Sequence, residues 1–151
     1  MDLNKLDDID KKILEHLTNN GRLNNAELGR IVNLTRAAVR DRVNSLTERG
    51  IIDRFTIIIN PRKAGKTLSL FFDIVVEWSK LNAVVEYLQQ DDAVTTVYQM
   101  SGNPHLHVHA LLDDQEHIEA YMNNLRNIDG VVNIKVEILL SRLKERGSFL
   151  I

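Results

Sequence analysis

Arginines recur at close spacing early in the chain: Arg22, Arg30, Arg36, Arg40, Arg42, Arg49 and Arg54 stand against four carboxylates, a local net of +3 on a chain of formal net charge −2. A guanidinium is a planar fork of donors that fits a phosphate or the major-groove edge of guanine, and it stays charged at physiological pH. At helical spacing Thr35, Arg36, Ala37, Arg40 and Asn44 share one side, with Arg42 on the flank, opposite the apolar stripe Val39, Val43 and Leu46. Such a face can grip base edges in a major groove, and small Ala37 and Ala38 let the backbone come close. Thr35 and the free amides of the first helical turn can hold a phosphate. Arg22, Arg30 and Arg54 are then backbone contacts that position without specifying. An arginine-rich face is often only a solvated face, but here a turn, a cap and a core stripe fall in register around it.

A second group is His105, His107 and His109, which alternate and so project from one face of a strand. Imidazoles ligate metals and titrate near neutral pH. Same-face neighbours lie about 7 Å apart, so three cannot share one ion without a second strand or chain. A proton-sensitive interface and ordinary interfacial packing are the other readings. Asp113, Asp114 and Glu116 read as the acidic start of a helix. No activated nucleophile, phosphate loop or metal-ligand spacing appears, so no enzyme, cofactor or metal site is expected. The absence of cysteine excludes disulfides, thiolate zinc sites and cysteine nucleophiles.

These residues need elements to position them. Leu6, Ile9, Ile13, Leu14 and Leu17 recur as a helix, fronted by Asp7, Asp8 and Asp10 and ended at Gly21. A second helix is expected from a cap at Asn25, burying Ala26, Leu28, Ile31 and Val32. Asn33 tolerates the left-handed conformation, so Val32-Asn33-Leu34-Thr35 reads as a tight turn with Thr35 capping a third helix, closed at Gly50. The β-branched run Ile51–Ile59, ending at Asn60-Pro61, predicts a strand or hairpin beside these helices, a wing.

From Leu68 the order becomes strand, helix, strand, strand, helix, strand. Leu68, Leu70, Phe72, Ile74 and Val76 alternate, as do Val132, Ile134, Val136, Ile138 and Leu140; the middle strands are Val94–Ser101 and Leu106–Leu112. Val84, Val85 and Leu88 mark one buried helix face, and Ile118, Tyr121, Met122 and Leu125 the other. The order is that of a ferredoxin-like βαββαβ unit with both helices on one sheet face. The opposite face carries Phe71 and Val75 beside Asp73 and Glu77, and no further element remains to cover it, so a second copy of the chain is the expected cover.

The expected organisation is α+β: a winged helix-turn-helix domain over 1–60, a hinge at 61–67 and a ferredoxin-like domain over 68–151. The 151 residues suffice for two small domains, and 44% hydrophobic with 26% charged residues is a globular composition. The start shows no signal-peptide pattern and no apolar run is long enough to span a bilayer, so a cytoplasmic location without membrane contact is expected. The slightly acidic total with a local basic face suits a specific binder of double-stranded DNA carrying a separate module, not a protein that coats nucleic acid.

An ordered set of stretches resembles the Lrp/AsnC (leucine-responsive, feast/famine) family of transcription regulators along essentially the whole chain. It comprises Leu6-Asp7-Asp8-Ile9-Asp10-Lys11-Lys12-Ile13-Leu14, Asn20-Gly21-Arg22, Ala26-Glu27-Leu28, Arg42-Val43, Leu46, Gly50-Ile51-Ile52, Asn60-Pro61, Gly102 and Gly130-Val131. The resemblance implies a ferredoxin-like (RAM/ACT-like) ligand domain, homodimers that assemble to tetramers, octamers or similar rings, paired roughly palindromic half-sites, and a response to an amino acid or related metabolite. It also carries over Ser101, Gly102, Asn103 and His105 as effector-loop positions. Family members that bind amino acids commonly carry Gly-Asp-Tyr/Phe-Asp in that loop; here it reads Gly102-Asn103-Pro104-His105. Ile134 and Val136 stand where many members have threonines. A DNA-binding ring whose second domain only assembles the particle is the competing expectation.

Overall fold

Asp7 caps α1 (Asp8–Asn19), its carboxylate accepting the Asp10 N–H at 2.7 Å. The computed structural model describes residues 6–66 and 68–144. They divide into two compact units, one over residues 6–58 and one over Ile59–Leu143.

In the first unit, α2 (Asn25–Val32) is capped by Asn24, one residue before the expected Asn25. Asn24 Oδ1 accepts from Ala26 and Glu27 N–H while Glu27 Oε2 accepts from Asn24 N–H, a reciprocal pairing that only position 24 allows. Leu28, Gly29 and Val32 face the core; Ala26 and Ile31, expected inside, are exposed. Asn33 closes α2 in the left-handed conformation (φ 56°, ψ 45°), and the Thr35 hydroxyl accepts from Ala38 N–H to start α3 (Arg36–Glu48). Gly50 (φ 69°) ends it, and the Ile51 and Ile52 amides turn back to the Leu46 carbonyl. Ile13, Leu14, Leu28, Val32, Val39 and Leu46 form the core of the three helices.

The stretch expected as a wing strand is irregular. Residues 53–60 are not strand, and among the described residues 53–59 make no backbone hydrogen bond to another segment. Phe55, Ile57, Ile58 and Ile59 are 57–79% exposed. β-branched composition favours an extended backbone, but a strand exists only where another strand pairs with it, and none of the described residues does so.

The second unit opens with a 3-10 turn, Arg62–Ala64, after Pro61. It continues through β1 (Leu68–Val76), α4 (Leu81–Gln89), β2 (Val94–Gln99), β3 (Leu106–Leu112), α5 (Glu116–Arg126) and β4 (Val131–Ile138). The antiparallel sheet has the order β2-β3-β1-β4. Leu70, Phe72, Ile74 and Val76 of β1 and Leu106, Val108, Ala110 and Leu112 of β3 bury one face beneath Leu81, Val84 and Leu88 of α4 and Met122 and Leu125 of α5. β2 stops at Gln99, short of Ser101, because Met100 N–H donates to the His105 carbonyl and closes the loop. In β4 the register against β1 shifts between Val75 and Val76, so Asn133 opposes Val75 while Val131 opposes Val76. That slip reverses the parity of the strand's start. Val131, Ile134 and Val136 meet the core, and Val132, Ile138 and Leu140, expected on the apolar face, are exposed.

Candidate functional site

The solvent side of α3 carries Thr35, Arg36, Ala37, Arg40 and Asn44, all exposed, while Val39 and Leu46 on its other side are buried. The helix reaches this pose through the turn before it. Leu34 N–H donates to the Gly29 carbonyl at 2.9 Å, and a Cβ built on Gly29 would lie 2.6 Å from the Leu34 carbonyl oxygen. Glycine is therefore required where α2 touches the turn. Gly29 is a positioning residue that the sequence reading passed over; its signal is a glycine inside a short helix, which costs helical propensity and needs a packing reason.

Arg40 Nε and Nη2 both donate to Asp41 Oδ1, at 3.1 and 3.0 Å. Both side chains are well exposed, so water screens the pair and the guanidinium is free to exchange partners. Arg22 and Arg30 are exposed, as is Arg54, which lies 3.5 Å from Asp53. Arg42 differs: its Nη1 donates to Asp7 Oδ2 at 2.6 Å and to Asp10 Oδ1 at 2.7 Å, and Asp10 is only 7% exposed. A buried carboxylate needs a cation, so this guanidinium ties α3 to the start of α1. Thus Arg36, Arg40 and Asn44 come together on one face and Arg42 faces into the domain.

In the second unit the sheet face away from the helices bears Phe71, Asp73, His107 and His109. Phe71 stacks on both histidine rings, at centroid distances of 5.5 and 4.6 Å. His107 Nδ1 lies 2.7 Å from Asp73 Oδ1, and His109 sits between Ser69 Oγ and Thr95 Oγ1, each at 2.6 Å. The three histidines thus have separate partners. Among the described residues no group of three or more histidine or carboxylate side chains is arranged to hold a metal, and no helix is long and apolar enough to cross a membrane. Ser101, Gly102 and Asn103 are exposed in the loop between β2 and β3, whereas His105 is half-buried, its Nδ1 accepting from the Val76 N–H and its ring 4.5 Å from that of Trp78.

Two family descriptions match the chain: winged helix-turn-helix DNA-binding over residues 6–53, and Lrp/AsnC ligand binding domain over residues 69–149. The HTH-type transcriptional regulator LrpA of Pyrococcus abyssi is 34% identical over 140 residues, covering 92% of this chain and 99% of that protein. Among solved structures, Bacillus subtilis LrpC matches with a TM-score of 0.85 at 25% identity, over 94% of this chain and 99% of that one. The Neisseria meningitidis transcriptional regulator NMB0573, solved as an L-Met complex, matches with a TM-score of 0.90 at 22% identity, over 96% of each chain. The helix-turn-helix with its arginine-bearing face, the ferredoxin-like second unit and these matches agree: the chain belongs to the Lrp/AsnC family of DNA-binding transcription regulators.

Proposed function

We propose that the protein is a sequence-specific regulator that reads double-stranded DNA with Thr35, Arg36, Ala37, Arg40 and Asn44, held on the phosphates by Arg22, Arg30 and Arg54. The observation that carries this reading is the exposed α3 face directly after the capped turn at Asn33 to Thr35. Arginine forks and Asn44 are the side chains that discriminate base pairs in a major groove. Arg42 is withdrawn from the contact set by its two carboxylates. The particle is a homodimer, or a ring built from dimers, in which a second copy covers Phe71, Asp73 and the histidines of the open sheet face. The unpaired apolar stretch Phe55–Ile59 is a further surface suited to such assembly. No catalysis is assigned to either unit, and the working compartment is the cytoplasm.

An amino acid or related small metabolite acts at the loop of Ser101, Gly102, Asn103 and His105; the L-Met complex of the Neisseria relative supports this class of effector. One observation favours a second reading, a purely architectural ring: the loop Gly102-Asn103-Pro104-His105 has no carboxylate to receive an ammonium group. Footprinting of the region upstream of the protein's own gene, with wild type and Arg40→Ala at one salt concentration, tests the DNA reading. Unchanged affinity of Arg40→Ala on every fragment refutes it. A metabolite screen by thermal melting and DNA affinity separates the effector reading from the architectural one.

A further inference from the structure

From Arg54 to Phe72 the chain carries four cations and no carboxylate, whereas residues 73–144 carry eleven carboxylates against five cations. The basic run spans the junction at which the first unit ends and the second begins. Two of its cations have partners: Arg54 lies beside Asp53, and Lys66 Nζ is 2.7 Å from Asp113 Oδ1. Arg62 and Lys63 are exposed, and among the described residues neither side chain has a hydrogen bond or ion pair. Elsewhere in the second unit Lys80 is held by Asp129 and Lys135 by Glu137.

The backbone beneath the two unpaired cations is set. Lys63 N–H donates to Asn60 Oδ1 at 3.3 Å, Ala64 N–H to the Asn60 and Pro61 carbonyls at 3.1 and 3.0 Å, and Lys66 N–H to the Pro61 carbonyl at 2.9 Å. Pro61 restricts its own φ, and Gly65 closes the turn at φ 92°. A ligand that engages Arg62 and Lys63 therefore orders side chains on a backbone already fixed, which lowers the entropic cost of binding.

Exposed cations are often only solvated, but the position of these two in the chain gives them a partner. Arg62 follows Arg54 by eight residues, a reach of at most about 29 Å. One turn of duplex is about 34 Å, with a phosphate charge about every 1.7 Å along its axis. A duplex held at Arg54 thus has Arg62 within one turn of that contact. The acidic remainder of the second unit repels DNA, and Arg62 and Lys63 reverse that sign at the end joined to the DNA-reading unit.

We propose that Arg62 and Lys63 form a second phosphate contact, on duplex flanking the segment read by α3, and that this contact holds any sequence alike. The proposal rests on the DNA reading of the first unit and adds the hinge turn to it.

Salt dependence tests it in the full-length protein. Affinity is measured between about 50 and 200 mM salt on a fragment from upstream of the protein's own gene and on a random duplex of equal length, because each lost phosphate contact lowers the slope of log affinity against log salt by about 0.9. Arg62→Ala and Lys63→Ala should each lower it by that amount per bound chain, and the double variant by about 1.8, on both duplexes. Over that fourfold salt range the wild type should lose about tenfold more affinity than the double variant. Arg126→Ala removes an exposed cation on α5 and should leave the slope unchanged. All variants should melt as the wild type does, since neither hinge side chain makes a contact in the fold. A double variant with the wild-type slope, an equal fall in Arg126→Ala, or a loss confined to the upstream fragment overturns the proposal. If Arg40→Ala still loses preference for the upstream fragment, the α3 reading stands in each of these cases. Absence of binding to either duplex by the wild type overturns both.

Discussion

Arg42 and Asp10, 32 positions apart, meet across the first unit with Nη1 of the arginine 2.7 Å from Oδ1 of the aspartate, and the same guanidinium nitrogen reaches Asp7 at 2.6 Å. Asp10 lies on the same side of α1 as Ile13 and Leu14 and is buried with them. Removing its cation strands a charge in the helical core. Arg42→Met should therefore destabilise the first unit by about 2–3 kcal/mol, below the range for a fully buried pair because Arg42 keeps some contact with water. Chemical denaturation followed by far-ultraviolet circular dichroism measures this; a loss under about 0.5 kcal/mol would place the pair with ordinary surface bridges.

Asp7 adds a pH dependence to the same cluster. The Asp10 amide has the largest effect and lowers the Asp7 carboxyl, burial opposes it next, and the hydrogen bond and charge of the Arg42 guanidinium add to the lowering, so that the carboxyl lies below its ordinary value of 3.8. A carboxyl depressed in the folded state contributes stability that is present above its unfolded value and lost as pH falls through the folded one. Asp7→Asn retains a capping oxygen and loses only the charge. The wild type should be more stable than Asp7→Asn at neutral pH, and the gap should close below about pH 4. A gap constant from pH 7 to pH 3 would show that the charge is irrelevant.

Gly29→Ala sets a methyl 2.6 Å from the Leu34 carbonyl oxygen, a backbone atom fixed by the turn. The turn must open or α2 must shift, at a cost of roughly 1–3 kcal/mol. Since α3 follows directly from that turn, DNA affinity should fall as well, though no DNA-facing side chain has changed. Thermal melting together with binding to one fixed fragment checks both effects. A variant that melts like the wild type would remove the close-packing argument.

Residue chemistry made part of this legible in the sequence. Asn33 is one of the few side chains at ease with φ 56°, Thr35 suits a cap, and the alternation of Leu70, Phe72, Ile74 and Val76 has only one reading as a half-buried strand. The misses are features that sequence neighbours do not encode. Asp10 and Arg42 find each other only once three helices pack, although an acid on a buried stripe already called for a cation. The slip in β4 depends on its pairing with β1, so simple alternation chose Val132 over Val131. Phe55–Ile59 has strand composition, but pairing partners are a property of the assembly and not of the segment.

Phe71 tests that assembly. Its ring stacks on His107 and His109 on the sheet face opposite the core, so a carboxylate in its place disturbs little of the unit's own packing. If a second copy covers this face, Phe71→Asp buries a new charge beside Asp73 at each half of a two-fold interface. The variant should sediment as a smaller species while the unit melts close to the wild-type temperature at low protein concentration. An unchanged mass across a dilution series would move the interface elsewhere.

The arginines of the first unit divide by what they touch, and salt dependence separates them. Arg40, exposed and bound to the exposed Asp41, can exchange that partner for a base. Arg40→Ala should cost about 1–3 kcal/mol on the preferred sequence and much less on others. Arg30→Ala should weaken all sequences alike and lower the slope of log affinity against log salt by about one. Arg42→Met should leave that slope unchanged once measured at a temperature where the variant is fully folded, because its guanidinium is held by Asp7 and Asp10. A fall in slope for folded Arg42→Met, equal to that of Arg30→Ala, would return Arg42 to the phosphate-contacting set and require the clamp to open on DNA.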